Sequence, residues 1–314
     1  MFIIFSRVFS VFLLIFIGFF ACKKDILPAA STKHLINLML YITAPCMAAS
    51  SIYSKELSPS VVNATVQVIV GAIIYFAIVT VIAFGALKIL KFQPKSDWGL
   101  YIVAICCINS GFMGFPVTKA IFGDDIFYLM VMHNIIACGY IYGISPVLLD
   151  MGRGKQGSRL TALKSMINPC TMGIFIGVVM LLLGLKPPKE LDQVIVSLSD
   201  ATIPISMIIV GIQLAGSDFK NMLKDRYINI VNILSMLIIP VLTFLVVDQF
   251  DMLEPNVKLI LIFSSVFPTA VAPAAIAEQR GVPAGKLAEI VSVTTATSLV
   301  IIPIMAMVLM KVYL

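Results

Sequence analysis

Charged side chains are scarce in this 314-residue chain. Asp, Glu, Lys and Arg make up 12% of it, whereas an average soluble domain carries about 25%. Hydrophobic residues make up 60%, and the mean hydropathy is +1.04. So little charge excludes a cytosolic globular enzyme, a nucleic-acid-binding protein and a disordered chain. The net charge of +6 does not favour nucleic acid, because the basic residues cluster between long apolar runs, as in membrane proteins.

Residue types that build metal and catalytic sites are also few. The chain has two histidines, His34 and His133, and six cysteines that form no C-x-x-C pair. This excludes a histidine-rich metal site and disfavours a disulfide framework. No nucleophile motif or metal-ligand spacing stands out. We therefore expect no enzymatic activity, no cofactor and no bound metal.

Long apolar runs, in contrast, are abundant. A membrane-spanning helix needs about 20 mostly apolar residues, and ten segments approach or exceed this length. We number them spans 1 to 10: Phe2–Phe20, His34–Ser54, Val61–Leu87, Trp98–Phe122, Ile126–Leu149, Ser165–Leu185, Val194–Ala215, Ile228–Val247, Leu259–Ala277 and Ile290–Met310. Little chain remains between them. The sequence therefore predicts an all-α polytopic membrane protein without a soluble domain, in which span 1 is retained rather than removed as a signal.

The distribution of Lys and Arg predicts the orientation in the membrane. If the N terminus is outside, 15 of the 22 basic residues fall in cytoplasmic loops, and acidic residues lean towards the outer loops. We therefore expect both termini outside the cell and the short basic loop 151–164 in the cytoplasm. The predicted location is the cell (inner) membrane, which the chain crosses several times.

Glycines and prolines repeat along the chain at a nearly constant offset. Across an offset of 159 residues four pairs match: Gly18 with Gly177, Pro28 with Pro187, Thr43 with Thr202 and Pro45 with Pro204. Further pairs follow at offsets of 157 or 158: Pro116 with Pro273, Gly123 with Gly281 and Pro146 with Pro303. Each unit holds five spans, so the second enters the membrane inverted, as in many secondary transporters. We predict an N-terminal repeat over residues 1–150 and a C-terminal inverted repeat over 165–314.

Spans 4 and 9 carry helix-breaking residues near their centres. Span 4 contains Gly111, Gly114 and Pro116, and span 9 contains Pro268 and Pro273. Proline removes a backbone donor and clashes with the preceding turn. Freed backbone groups are costly in hydrocarbon unless protein or a water-filled cavity satisfies them. A harmless kink would explain one such segment, but two broken helices at matching positions predict a binding site at the membrane midplane.

The residues around these breaks favour a small anion. The second half-helix after each break begins near the midplane, where its amide groups carry partial positive charge. Neutral donors stand beside the breaks and in span 5: Asn109, Ser110, Thr269 and Asn134. Spans 2 and 7 each place a threonine before a proline, and we expect them to flank the same cavity through Thr43, Pro45, Thr202 and Pro204. A carboxylate fits such a set of donors.

Ionisable residues inside the spans are few, and each is expensive in a bilayer. Asp200 in span 7 and His133 in span 5 are candidate proton carriers. For His133 the alternative is a hydrogen-bonded histidine that only packs helices together. We expect Lys119, Glu278 and Glu289 to extend to the membrane interface.

Several stretches of the sequence resemble the auxin efflux carrier family, and together they cover essentially the whole chain. They are INSGFMGFPV at Ile108–Val117, the dipeptide Asn168–Pro169, ATIPISMIIVGIQLAG at Ala201–Gly216, LPAASTKHLINLMLYITAPCMAASS at Leu27–Ser51 and VSVTTATSLVIIPI at Val291–Ile304. The family includes plant PIN-type auxin carriers and bacterial members described as malate or malonate permeases. The long cytosolic loop of the plant members is absent, which argues against auxin as the substrate.

The resemblance implies ten helices in two inverted five-helix repeats, with crossovers in helices 4 and 9 at the substrate site. It also implies a scaffold of helices 1, 2, 6 and 7 and a mobile domain of helices 3–5 and 8–10. Asn109, Pro116, Pro268 and Pro273 would then contact the substrate, although no asparagine in span 9 stands opposite Asn109.

Three functional hypotheses stay open. The first is a secondary carrier of a small organic anion such as malate or malonate, driven by membrane potential or protons. The second is a sodium-coupled symporter of the bile-acid transporter type, which would need clustered acids and amides near the breaks. The third is a non-transporting membrane sensor. The expected partners are the organic anion, the lipid bilayer and coupling protons, with no nucleic acid; a homodimer stays an open alternative.

Overall fold

A computed structural model of the chain describes residues 2–151 and 168–314. All regular elements in these residues are helical, apart from one isolated β-bridge. The main helices are α1 Phe2–Lys23, α2 Ala29–Tyr53, α3 Pro59–Ile89, α4 Trp98–Cys106, α5 Phe115–Phe122, α6 Asp124–Asp150, α7 Pro169–Leu182, α8 Lys189–Ala215, α9 Phe219–Met222, α10 Arg226–Asp248, α11 Pro255–Ser264, α12 Ala272–Gln279 and α13 Ala284–Tyr313. The all-helical prediction is confirmed. Of the predicted loop 151–164, Met151 is described and residues 152–164 lie outside the described part of the chain.

Six helices in the described part of the chain are long and apolar enough to cross a membrane. They are α2, α3, α6, α8, α10 and α13, which correspond to spans 2, 3, 5, 7, 8 and 10. Spans 4 and 9 are each divided into two shorter helices. In spans 1 and 6 the apolar helical stretches Phe9–Lys23 and Pro169–Leu182 are shorter. The multi-pass character is thus supported, while the number of ten spans stays a prediction.

Prolines shape several of these helices through a wider turn. Four π-helical turns in the described residues each end two residues before a proline: Met39–Thr43, Ser110–Gly114, Tyr140–Ile144 and Leu234–Ile238, followed by Pro45, Pro116, Pro146 and Pro240. Proline lacks an amide hydrogen, and its ring collides with the carbonyl four residues earlier. A π turn relieves this conflict by lengthening the hydrogen-bonded loop by one residue. Pro204 and Pro303, in contrast, lie inside α-helices that contain no π turn.

The described residues form two compact units. The first comprises 2–66, 111–132 and 168–216, and the second 67–110, 133–151 and 217–314. The first unit therefore contains spans 1, 2, 6 and 7, which the family resemblance groups as a scaffold. It differs from that expectation by including residues 111–132, because α5 packs against α1 and α8. The chain passes from one unit to the other between Ser110 and Gly111, inside the break of span 4.

Glycines allow very close helix packing in the first unit. A Cβ atom at Gly18 of α1 would collide with the backbone of Ile208 in α8. A Cβ atom at Gly177 of α7 would similarly press on the backbone of Ala49 in α2. These two contacts hold α1 against α8 and α7 against α2, so the four helices form the core of this unit.

Ion pairs join helix ends in the second unit. Arg280, just after α12, pairs with Asp150 at the end of α6, and Lys286 of α13 lies 2.8 Å from Asp225 before α10. Partial burial raises the pKa of Asp225, but the hydrogen bonds from Lys286 and from two backbone amides outweigh this, and the pKa is lowered overall.

Candidate functional site

Both predicted helix breaks are present. α4 ends at Cys106, and Cys107 adopts an extended conformation before the π turn Ser110–Gly114 leads into α5. α11 ends at Ser264, and α12 begins only at Ala272. The clustering of glycine and proline in spans 4 and 9 therefore located the interruptions correctly.

The two broken segments cross each other as antiparallel extended chains within the second unit. Ile108 and Thr269 form an isolated antiparallel bridge. The amide of Asn109 donates to the carbonyl of Pro268 at 2.7 Å, and the amide of Ala270 donates to the carbonyl of Cys107 at 2.7 Å. Backbone groups that a membrane helix loses at a break need new partners. Here the backbone groups of each break hydrogen-bond to those of the other break, so these groups need no water as a partner.

Thr269 fixes the crossing to the surrounding helices. Its hydroxyl donates to the carbonyl of Ala104 in α4 at 2.7 Å, and its amide donates to the hydroxyl of Thr294 in α13 at 3.2 Å. Thr269 is 2% exposed, so both bonds are protected from water. Both donors of this residue are thus engaged within the protein. The sequence analysis did not single out Thr294. The feature that could have indicated it is the cluster of threonines and serine at 294–298 in span 10.

Three polar side chains of the second unit are buried at the first break. The hydroxyl of Ser110 donates to the amide oxygen of Asn134 in α6 at 2.6 Å. The amide nitrogen of Asn134 lies 3.5 Å from the sulfur of Cys138, a weak acceptor. Asn109 is 7% exposed and directly precedes Ser110. The structure therefore brings together Asn109, Ser110 and Asn134 with Pro268 and Thr269, and their role as substrate contacts stays a prediction.

The other predicted contact residues are divided between the two units. Pro273 stands in the first turn of α12, in the second unit. The first unit contains Gly111, Gly114, Pro116, Thr43, Pro45, Thr202 and Pro204. Among these, Thr43 is 1% exposed and its hydroxyl has no hydrogen-bond partner in the described part of the chain, whereas the hydroxyl of Thr202 lies 3.5 Å from the carbonyl of Leu198. Their role as substrate contacts stays a prediction.

The two candidate proton carriers have opposite surroundings. Asp200 is exposed and lies 3.1 Å from the ammonium of Lys119. His133 is 0% exposed, neither ring nitrogen has a hydrogen-bond partner among the described residues, and the rings of Tyr75 and Phe76 lie 6.3 and 5.9 Å away. His133 thus packs against aromatic rings, and both its role as a proton carrier and the packing alternative stay predictions.

Lys119 belongs to a polar cluster of the first unit, and its extension to the membrane interface stays a prediction. Its ammonium is 3.3 Å from the hydroxyl of Ser199 and binds Asp200 within the first unit. Sequence reasoning missed this cluster because its members are separated by about 80 residues and share no motif.

The comparisons with known proteins identify the family of the chain. Residues 3–306 match the family model described as "Membrane transport protein". An "Uncharacterized transporter" of Methanothermobacter thermautotrophicus is 24% identical over 304 residues, covering 97% of this chain and 98% of that protein. An "Uncharacterized transporter" of Methanocaldococcus jannaschii is 24% identical over 309 residues, covering 96% and 97%. Because the family model spans nearly the whole chain, the protein belongs to this membrane transport protein family, the auxin efflux carrier family.

Proposed function

We propose that this membrane transport protein is a secondary active carrier of a small organic anion, a carboxylate such as malate or malonate. It moves the anion by alternating access, and the anion binds at the crossing of the two breaks. The observation that carries the proposal is the crossing itself, whose backbone is satisfied and whose neighbouring polar side chains are buried. Such a buried polar site on interrupted helices is the usual substrate site of secondary transporters.

The chemistry at the crossing favours an anion that neutral donors can bind. Neither the segment Cys107–Gly114 nor the segment Ser265–Val271 contains Asp, Glu, Lys or Arg. Asn109 and Asn134 carry neutral amide groups, and α12, which follows the second break within the same unit, contributes the positive end of its dipole. Each helix end contributes about 0.3–1 kcal/mol, or about 2 kcal/mol when partly buried. Affinity should therefore be modest.

The proposal includes two inverted five-helix repeats and ten spans. The glycine contacts of the first unit support it. Gly18 contacts Ile208, and Gly177 contacts Ala49. At the repeat offset of 159 residues, Gly18 corresponds to Gly177 and Ala49 corresponds to Ile208. Equivalent positions in the two halves thus make equivalent contacts, with the order of the halves exchanged. This exchange is what a two-fold axis between inverted repeats would produce.

We further propose that the protein lies in the cell membrane with both termini outside and the loop 151–164 in the cytoplasm. A cysteine at Ser158, a position outside the described residues, should resist an impermeant thiol reagent added to intact cells. A cysteine at Lys186, between α7 and α8, should react under the same conditions. The reverse labelling pattern would overturn this orientation.

The main test is uptake by reconstituted vesicles that contain the purified full chain. The vesicles are tested with a panel of radiolabelled mono- and dicarboxylates. At least one of these should accumulate faster than in protein-free vesicles, and unlabelled malonate should inhibit its uptake. Counterflow, in which preloaded unlabelled anion accelerates entry of label, distinguishes a carrier from a channel. A folded protein that binds a carboxylate without flux would favour a sensor instead.

Coupling follows from the charge of the substrate. An inside-negative potential favours export of a negative charge by about 2.3 kcal/mol per 100 mV, so export needs no coupling ion. Uptake needs protons, and Asp200 and His133 are the candidate carriers. Of the two, Asp200 is the better placed to exchange protons with water, because its side chain is 62% exposed whereas His133 is fully buried.

A further inference from the structure

The last turn of α6 contacts two of the helices next to the breaks, each at the end that lies away from the crossing. Arg280, just after α12, forms an ion pair with Asp150, the last residue of α6. Gly99 in the first turn of α4 packs closely on the same turn, because a Cβ atom there would lie 1.8 Å from the carbonyl oxygen of Leu148. α4 leads into the first break, and α12 follows the second. One turn of α6 therefore supports both broken segments within the second unit.

The ion pair of Arg280 with Asp150 is more buried than other ion pairs of the chain. The side chains of Arg280 and Asp150 are 14% and 16% exposed. The aspartates that pair with Lys55, Lys119 and Lys258 are all at least 62% exposed. A largely buried carboxylate at the carboxyl end of a helix, where the dipole is negative, needs a cation beside it. Loss of either partner should therefore displace the other, whereas loss of an exposed pair changes little.

The helix α12 connects this ion pair to the second break. Gly281 adopts a positive φ of 66°, and the amide of Val282 donates to the carbonyl of Ala277 at 2.9 Å, which closes the helix directly after Arg280. α12 has eight residues and is therefore about 12 Å long. Ala270, whose amide forms one of the hydrogen bonds of the crossing, stands two residues before the helix begins. A shift at Arg280 therefore moves the crossing.

We propose that Asp150 is a positioning residue for the crossing. Through Arg280 it holds α12, and thereby the second break, at the place where the two breaks hydrogen-bond to each other. The last turn of α6 is the common support, because it also contacts α4, which leads into the first break. The inference rests on the proposed function only in treating the crossing as the substrate site.

The first test measures the crossing directly and needs no substrate. Amide hydrogen exchange of the purified full chain, resolved by peptide, reports how often the hydrogen bonds of the crossing open. Asp150→Asn and Arg280→Gln should each speed exchange at Asn109 and Ala270 about tenfold, since α12 loses its buried anchor. The charge-swapped double variant, Asp150→Arg with Arg280→Asp, should return exchange to within about threefold of the wild type.

Asp225→Asn is the matched control. Asp225 forms another partly buried ion pair in the same unit, with Lys286, and neither residue lies in a broken segment. The variant loses the charge but keeps an oxygen for the amides that Asp225 caps at the start of α10. Exchange at the crossing should stay within about twofold of the wild type. Equal acceleration in Asp225→Asn would show that loss of an ion pair loosens the whole unit, and it would overturn the inference.

A second test uses transport. With a carboxylate that the wild type takes up, Asp150→Asn should raise the half-saturation concentration of uptake about tenfold and change the maximal rate less, because it disturbs the substrate site. Unchanged exchange at the crossing in Asp150→Asn and Arg280→Gln overturns the inference and leaves the proposed function standing. If one of the two variants fails to fold, the other applies the same criterion. If wild-type vesicles take up no carboxylate, the proposed function fails, and hydrogen exchange still decides whether Asp150 positions the crossing.

Discussion

The two helix breaks look alike in sequence but use their polar residues differently. At the second break, both donors of Thr269 bond to neighbouring helices, one to Ala104 and one to Thr294. At the first break, the hydroxyl of Ser110 bonds to Asn134, whose amide nitrogen lies 3.5 Å from a weak acceptor, the sulfur of Cys138. We infer that the second break mainly frames the crossing and that the first break mainly recognises the substrate.

The following helices continue this difference. The first break leads through a π turn with Gly111 and Gly114 into α5, whereas the second leads directly into α12. A π turn marks backbone that has left the α-helical hydrogen-bond pattern, and such turns are frequent at functional sites. Proline in the first turn of a helix, as at Pro273, costs nothing because no intrahelical donor is required there.

The largest difference in flux is expected for the replacement of Asn109, which lies at the first break. We expect Asn109→Ala to lower carboxylate flux by about two- to twelvefold, since the variant loses the proposed polar contact to the substrate, worth about 0.5–1.5 kcal/mol. Flux in reconstituted vesicles, normalised to inserted protein, measures this. Asn229→Ala serves as the control, because Asn229 bonds to the exposed carbonyl of Leu223 at the start of α10. Wild-type flux in Asn109→Ala would move recognition away from the first break.

The two crossover prolines give the next largest contrast. Pro116→Ala should reduce flux severalfold, because the restored amide allows the preceding π turn to become α-helical and shifts the break. Pro273→Ala should change flux by less than about twofold, since proline in a first turn replaces no hydrogen bond. Equal losses in both variants, with equal insertion, would show that the breaks act symmetrically.

Features that depend on neighbouring residues in the sequence were predictable, whereas contacts between residues far apart in the sequence were not. The breaks were predictable because glycine and proline act on their own backbone. The neighbouring donors Asn109 and Ser110 were predictable for the same reason, as they lie beside the break. The bond from Thr269 to Ala104 joins residues 165 positions apart. Such pairing depends on how helices pack, and no local pattern encodes it. The same limit hid the pairing of Lys119 with Asp200.

A smaller effect, on the stability of the protein, should show whether Thr269 supports the crossing or contacts the substrate. Thr269→Val removes the hydroxyl that bonds to Ala104 and leaves a buried carbonyl without that donor, which should lower the free energy of unfolding by about 1–3 kcal/mol. Thr297→Val is the matched control, because its hydroxyl bonds only within its own helix, to Val293. Thermal unfolding in detergent should show a lower midpoint for Thr269→Val alone. A stable Thr269→Val variant that has lost flux would assign recognition to the second break as well.

The smallest expected effect is the response to sodium, and it tests both breaks at once. A sodium site needs oxygen ligands, usually with a carboxylate among them, yet neither broken segment contains Asp or Glu. Replacing sodium by choline on both sides of the vesicle membrane should therefore leave flux unchanged. An imposed potassium-diffusion potential should change the same flux, because moving one net charge through 100 mV is worth about 2.3 kcal/mol. A strict sodium requirement without a response to potential or pH would instead favour a sodium symporter, and it would mean that the crossing binds a cation together with its substrate.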